Sequence, residues 1–246
     1  MFTVWLFLFL LVSVSIYKLI KPRIKGAVGE KKTAIILAAL DKSKYKVINN
    51  VVLDVRGFIS QIDHVIISNF GVFIIETKNY KGWILGGENS RYWTQVIYKR
   101  KEKLYNPIRQ NHSHLLALKH CLQEFPDIRY IPIVVFSTNA TIKVKTISEV
   151  IYSIELLKAI SKHSEVTLSE DKKEVIFNRL KSSNIKAKYN RSEHIKSIKQ
   201  RIKKQEKLIS QNKCPRCQGI LVTRVGKFGE FKGCANFPSC KFTINE

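Results

Sequence analysis

The sequence predicts an α/β sandwich built on a mixed sheet with flanking helices. Three observations carry this. Val47 to Lys78 is dense in Val, Ile and Phe, Asn106-Pro107 opens a helical pattern, and Tyr130 to Phe136 returns to an apolar, β-branched run. Strands that alternate with helices are the pattern of a sheet covered on its faces. At 246 residues, 45% of them hydrophobic, the chain holds enough apolar surface for one sizeable core and a small module, and disorder throughout is excluded.

Taken in order, Glu30 lies in the first turn of a helix expected over Gly29 to Leu40, where Ile36, Leu37 and Leu40 recur at helical spacing. Strands are expected at Val47–Val55, Ile59–Ser68 and Val72–Lys78, with weaker ones at Trp83–Leu85 and Tyr92–Ile97. Proline at a first helical position places the next helix from Asn106-Pro107 to about Gln123. A buried strand follows at Tyr130–Phe136, then helices at Glu149–Lys162 and Glu170–Ser183. Residues 24–140 thus form the main domain, 141–185 a helical extension and 186–211 a basic linker helix, in which Ile195, Ile198, Ile202 and Ile209 keep a helix-compatible spacing. Trp83, Tyr92 and Trp93 are expected in the sheet core, and Cys121 buried on its helix.

The charge balance is +24, from 43 Lys+Arg against 19 Asp+Glu. Such an excess calls for an anionic partner, nucleic acid or an anionic lipid surface. Eleven of the cations fall between Lys181 and Lys213, against two acids. Four more, Lys18, Lys21, Arg23 and Lys25, follow an uncharged run from Phe2 to Tyr17. About 20 apolar residues span a bilayer as a helix. Residues 1–20 are therefore expected to be a single-pass anchor, with the N-terminus outside and the rest of the chain in the cytosol, because the cations follow the run and none precedes it.

One hairpin carries the candidate chemistry. If Ser68 pairs with Gly71, paired positions sum to 139 and Asp63 lies opposite Glu76, with Cβ atoms about 5 Å apart; a three-residue loop would shift this register by one. Glu76 and Lys78 share a strand face. Two carboxylates facing each other in an apolar sheet resist ionisation. A hard divalent cation, Mg²⁺ or Mn²⁺, resolves the conflict, and Lys78 beside it would stabilise charge developing on a phosphoryl group. His64 alternates to the face opposite Asp63, as a core histidine.

Gly26-Ala27-Val28-Gly29-Glu30, Gln61-Ile62-Asp63-His64-Val65, Gly71 to Tyr80 with Gly82, and Asn106-Pro107 with Gln110 and His114 occur in that order. Together they resemble the nuclease-related domain, NERD. The resemblance implies a restriction-endonuclease-like PD-(D/E)xK fold, with Asp63, Glu76 and Lys78 at the metal and catalytic positions. It also implies Glu30 as the helical acidic residue and Gln110 as the polar residue of the following helix. Ile62 stands where the generic motif name has Pro.

Four of the five cysteines lie in the last 33 residues, as Cys214-Pro-Arg-Cys217 and the pair Cys234 and Cys240. This is the ligand set of a closed tetrahedral zinc site, and a module this small draws its folding energy from the metal. The stretch from Cys214 through Gly226, Gly229, Gly233 and Asn236-Phe-Pro to Cys240 resembles the zinc ribbon of bacterial type IA DNA topoisomerases, which implies single-stranded DNA binding. Phe228 and Phe237 would stack on bases, and Arg216, Arg224, Lys227, Lys232 and Lys241 would meet phosphates; Phe231 is expected in the core of the module. A topoisomerase catalytic domain does not fit in this chain. The expected protein is a DNA-binding, Mg²⁺-dependent nuclease on the cytoplasmic membrane of a bacterium. A non-catalytic DNA tether and an RNA-binding protein are the other classes open to it, and the intact Asp63, Glu76 and Lys78 set favours the enzyme.

Overall fold

The computed structural model of the chain describes residues 24–226 and 229–245, together with residues 5, 9 and 21. The apolar run expected to be an anchor at residues 1–20 lies outside the described residues, except for Trp5 and Phe9. Among the described residues, no helix is long and apolar enough to cross a membrane. Two compact units divide the chain, Met1–Lys188 and Tyr189–Glu246.

The first unit is a mixed α/β structure on two sheets. Helix α1 (residues 24–37) precedes β1 (Tyr45–Val55), β2 (Phe58–Ser68) and β3 (Gly71–Lys78). Then come β4 (Gly82–Gly87), β5 (Tyr92–Ile97) and β6 (Arg100–Tyr105), helix α2 (Pro107–Cys121) and β7 (Tyr130–Phe136). Two further strands, β8 (Ala140–Lys145) and β9 (Glu149–Tyr152), precede helices α3 (Leu156–Ser161) and α4 (Glu170–Ser183). The five-stranded sheet has the order β1-β2-β3-β7-β9 and the four-stranded sheet the order β6-β5-β4-β8. β1, β2 and β3 form an antiparallel meander, and β7 runs parallel to β3. The parallel pairing requires a crossover, and α2 lies on it.

One face of the large sheet packs Val51, Val65, Ile67 and Ile74 against Leu118 of α2 and Ile176 and Leu180 of α4. The other packs Ile66, Phe73 and Ile75 against Leu37 of α1 and Leu156 and Ile160 of α3. The four-stranded sheet closes a third core, with Ile84, Trp93 and Leu104 against Val134 and Phe136. Trp93 stacks on Phe136 with ring centres 6.2 Å apart, and its indole N–H donates to the Gly87 carbonyl at 3.0 Å. Gly86 makes room for that ring, since a Cβ there would lie 2.3 Å from Trp93.

Three expectations need correction. Glu149–Lys162 is not one helix. Its first four residues pair parallel with β7 and extend the large sheet, and only Leu156–Ser161 is α-helical; Val150, Ile151 and Tyr152 are strand formers, and a sheet edge was open beside them. β6 and β8 were not foreseen, because Arg100-Lys-Glu-Lys-Leu-Tyr105 buries only Leu104, Ala140-Thr-Ile-Lys-Val-Lys145 buries only Ala140, and both carry lysines on the outward face. Trp93 is in the core as expected, but Trp83 and Tyr92 are 51% and 47% exposed.

Asn106 ties the four-stranded sheet to α2. It is fully buried, and its Oδ1 caps the helix by accepting from Ile108 N–H at 2.9 Å. Its amide donates to the carbonyls of Glu88 (2.9 Å) and Ser90 (2.7 Å) in the β4–β5 turn. Asn106→Ala removes the cap and leaves buried carbonyls unpaired. It is expected to lower stability by about 2–4 kcal/mol, measured by urea unfolding.

Candidate functional site

The site lies where the large sheet splits. β2 and β3 are joined by a two-residue loop with Ser68 opposite Gly71, and the register holds as far as His64 opposite Ile75. Paired positions therefore sum to 139, as expected. Beyond that pair the two strands part, although β2 stays on β1 to its end and β3 stays on β7 to Lys78. Asp63 sits at the fork. Its Oδ2 accepts the Thr77 backbone N–H at 2.8 Å, so a side chain takes over where the ladder stops. The alternation of β1 also slips here. Asn50 has φ 55, and Ile48 and Val51 face the same core despite their odd spacing.

Glu76 is 2% exposed. Its Oε1 is 2.6 Å from Lys78 Nζ, and its Oε2 is 3.1 Å from His114 Nε2. Burial pushes this carboxyl up, but the His114 hydrogen bond and the Lys78 charge outweigh it, and the net shift is downward. For Lys78 the balance also favours the ion: burial lowers it, and the Glu76 charge raises it further. Lys78 donates to Gln110 Oε1 at 2.9 Å. An ionised Glu76 only accepts, so His114 Nε2 carries a proton; its Nδ1 then meets Ser60 Oγ at 2.8 Å. Gln110 Nε2 faces His114 Nε2 at 3.5 Å, two donors whose contact is not a hydrogen bond. The result is a chain, Ser60–His114–Glu76–Lys78–Gln110, that runs from β2 to α2, across to β3 and back to α2.

Asp63 behaves in the opposite way. Burial and the nearby Glu76 charge push its carboxyl up to about 8, against the smaller pull of the Thr77 N–H and Lys78. The pair is thus split into one ionised and one protonated carboxyl at neutral pH. Glu30, half-buried on α1, is a weaker negative neighbour of Asp63. His64 is a core histidine as expected. Its Nδ1–H donates to Asn49 Oδ1 at 2.7 Å, and burial lowers it to about 4.

The structure brings together Asp63, Glu76, Lys78 and Gln110. Sequence reasoning gave no role to His114 or Ser60. The signal for His114 was its position one turn after Gln110 on α2; Ser60, 54 residues away, had none.

In the second unit, α5 (Arg191–Ser210) leads to a three-stranded ribbon of β10 (Leu221–Gly226), β11 (Gly229–Cys234) and β12 (Thr243–Asn245). The sulfur atoms of Cys214, Cys217, Cys234 and Cys240 all lie within 4.8 Å of one another. Cys214 and Cys240 are 3.6 Å apart, and Cys217 and Cys234 are 3.3 Å apart. Four thiolates around one zinc at about 2.3 Å give this size of cluster. Leu221, Ile209 of α5 and Phe242 pack on the sulfurs as the core of the module. Phe231, expected in that core, is instead half-buried across the sheet, where Gly226 and Gly233 leave space for its ring. Arg216, Phe237 and Lys241 are exposed, and the Arg224 guanidinium lies 5.7 Å from the Phe237 ring centre. Lys232 is half-buried, and Lys227 and Phe228 lie outside the described residues.

Two outcomes follow. A carboxyl raised from 3.8 to about 8 on folding binds its proton more tightly in the folded state. Its contribution is complete below about pH 4 and is lost as pH rises through 8. Asp63→Asn keeps an acceptor for Thr77 N–H, so in metal-free buffer it is expected to stabilise the protein at pH 8.5 by on the order of 2 kcal/mol, with little effect at pH 4, in paired urea titrations. For the ribbon, metal analysis is expected to give one zinc per chain, and Cys240→Ser to abolish stoichiometric zinc and the dispersed NMR signals of residues 211–245.

Residues 25–137 match the family model of the nuclease-related domain, and residues 211–246 that of the topoisomerase DNA-binding C4 zinc finger. An uncharacterized protein of Bacillus anthracis is 33% identical over 196 residues, covering 78% of this chain and 92% of its own length. The DNA topoisomerase 1 of Mycoplasmoides gallisepticum is 45% identical over 51 residues, and that of Campylobacter jejuni 56% identical over 32. These two matches span 21% and 13% of this chain and only 7% and 5% of the topoisomerases. No solved structure matches the chain. The chain carries a nuclease-related domain over residues 25–137 and a topoisomerase-type C4 zinc ribbon over residues 211–246.

Proposed function

We propose that the protein is a DNA nuclease of the restriction-endonuclease-like PD-(D/E)xK type, held at the cytoplasmic membrane of a bacterium by residues 1–20. The observation that carries this reading is the cluster of Asp63, Glu76 and Lys78 at the fork of β2 and β3, within the residues that match the nuclease-related domain.

The donor set fits a hard divalent cation. Asp63 and Glu76 offer oxygen alone, and Asp63 is kept from ionising first by burial and then by its neighbour's charge, a conflict that a cation relieves. Asp63 and Glu76 would hold Mg²⁺ or Mn²⁺. When bound, such an ion polarises a phosphoryl oxygen and acidifies a coordinated water. The remaining work falls to the protein. Lys78 stays protonated beside Glu76 and meets the negative charge that grows on the phosphoryl group. Gln110 fixes the Lys78 ammonium by its 2.9 Å hydrogen bond. His114, braced by Ser60, holds Glu76 in place and ionised. Glu30 on α1 would serve as an outer carboxylate.

The ribbon would bind single strands. Phe237 is exposed for stacking, and Arg216, Arg224 and Lys241 with Lys227 and Lys232 supply phosphate contacts. The match of residues 211–246 to the topoisomerase DNA-binding zinc finger supports DNA binding by the ribbon.

Full-length protein is expected in the membrane fraction and, after detergent release, to cleave labelled DNA only with Mg²⁺ or Mn²⁺. Asp63→Ala and Lys78→Ala are expected to lower cleavage by about 100-fold or more while leaving DNA binding intact. Absence of metal-dependent cleavage of DNA, with binding retained, would identify a tether; cleavage of RNA alone would move the substrate to RNA.

A further inference from the structure

The four-stranded sheet buries one face and leaves the other to solvent. Strand alternation and the pairing registers assign every outward side chain. Trp83 lies beside Val96, Lys101 and Thr141, and Leu85 beside Thr94, Lys103 and Lys143. Tyr92 pairs with Tyr105 at one end, and Lys145 follows Lys143 on β8. Trp83, Tyr92 and Tyr105 are 51%, 47% and 46% exposed. The four strands contain one acid, Glu102, which alternation turns to the other face, where Arg100 pairs with it. The outward face therefore carries three aromatic rings and four lysines, with no carboxylate of its own.

A solvated charged face needs no aromatic rings, and an ordinary sheet face would balance its lysines with acids. The two aromatic ends lie roughly 13 Å apart along the strands, four residues at about 3.3 Å each. Lysines stand between them, and Lys143 Nζ lies 3.7 Å from the Trp83 ring centre, so that ring already offers its flat face to a cation. At the Trp83 end the surface is concave. A groove of about 590 Å³ lies between Trp83, Tyr98, Lys25 and Lys81, within the size range of small-ligand pockets. The groove adjoins the chain that leaves β3: Gly82 in its wall is four residues past Lys78, and Asn79 is tied to the Lys25 carbonyl at 2.7 Å.

We propose that this face binds single-stranded nucleic acid, with bases stacked on Trp83 and on Tyr92 or Tyr105, and phosphates on Lys101, Lys103, Lys143 and Lys145. A four-stranded sheet with exposed rings suits unpaired bases, whose faces a duplex hides. A bilayer surface is met by protruding apolar groups, whereas here the ring wall borders a hollow lined by Lys25 and Lys81, with Glu102 offsetting part of their charge. The surface lies in the first unit, on β4, β5 and β6 within the residues that match the nuclease-related domain and on β8 just past them, and it shares no residue with the zinc ribbon. Its binding does not depend on whether the fork at Asp63 and Glu76 cleaves.

The test uses the full-length, zinc-loaded protein in detergent without added Mg²⁺, so that no cleavage enters the readout. Halogenated oligo(dT) and oligo(rU) are photo-crosslinked, and the adducts mapped by mass spectrometry. Adducts at Trp83, Tyr92 or Tyr105 are expected, and the relative yield of the two probes names the preferred sugar. Replacing all four lysines by Ala is expected to reduce the salt slope of binding by about 3. Trp83→Ala is expected to weaken binding about tenfold, and Trp83→Phe to retain most of it. Lys143→Glu, at an exposed position, gives a second reading if the fourfold variant fails to fold. Adducts confined to residues 211–246, with an unchanged salt slope in the lysine variants, would overturn the proposal. So would loss of binding to phosphatidylglycerol vesicles in these variants with oligonucleotide affinity unchanged.

Discussion

A carboxylate buried to 2% exposure needs partners, and the partners of Glu76 organise the site. Lys78 comes from the same strand face, two residues on. His114 must come from elsewhere, and α2 delivers it because the helix crosses beneath β3 to join the parallel strand β7. The same helix brings Gln110 to Lys78 and Asn111 to the carbonyls of Ile74 and Ile133, at 3.0 and 3.2 Å. The ion pair, the helix position and the β3–β7 pairing are one constraint expressed three times. Asp63 is the counterpart. Burial, and then the charge already on Glu76, make a second ionised group at the fork unfavourable, and Asp63 keeps its proton and caps a backbone N–H.

The four-stranded sheet is attached to this arrangement by its inner core and by two residues in particular. Trp93 stacks on Phe136 of β7, and Asn106 joins the β4–β5 turn to the start of α2. Both contacts lie on its inner face. Its outer face is thereby free of structural duty, which gives its rings and lysines a meaning that a buried face would not have. The ribbon solves its stability differently. With few apolar residues, it gathers four sulfur atoms and packs Leu221, Ile209 and Phe242 around them. Metal coordination there does the work that a hydrophobic core does in the larger unit.

Part of the charge of +24 can now be placed. Lysines that made β6 and β8 unreadable as strands are the outward residues of a sheet whose inner face is apolar. The period-two pattern was present in Thr141-Ile142-Lys143-Val144-Lys145, but a strand of only six residues with every second position polar carries a weak signal. In Glu149–Tyr152 the error ran the other way: an open sheet edge drew β-branched residues out of a helical reading.

The sequence by itself determined what is local. A two-residue loop between Ser68 and Gly71 sets a register, and the register puts Asp63 at the level of Glu76; strand alternation puts Lys78 on the face of Glu76; short cysteine spacings set a metal cluster. Each follows from backbone geometry within a few residues. Tertiary structure alone decided that β2 and β3 part at that level, that Ser60 braces His114 across 54 residues of chain and His114 braces Glu76 across 38, and that Trp83 and Tyr92 face outward while Trp93 is buried. Those outcomes depend on which faces α2 and β7 cover, and covering is a property of packed elements that no single segment encodes.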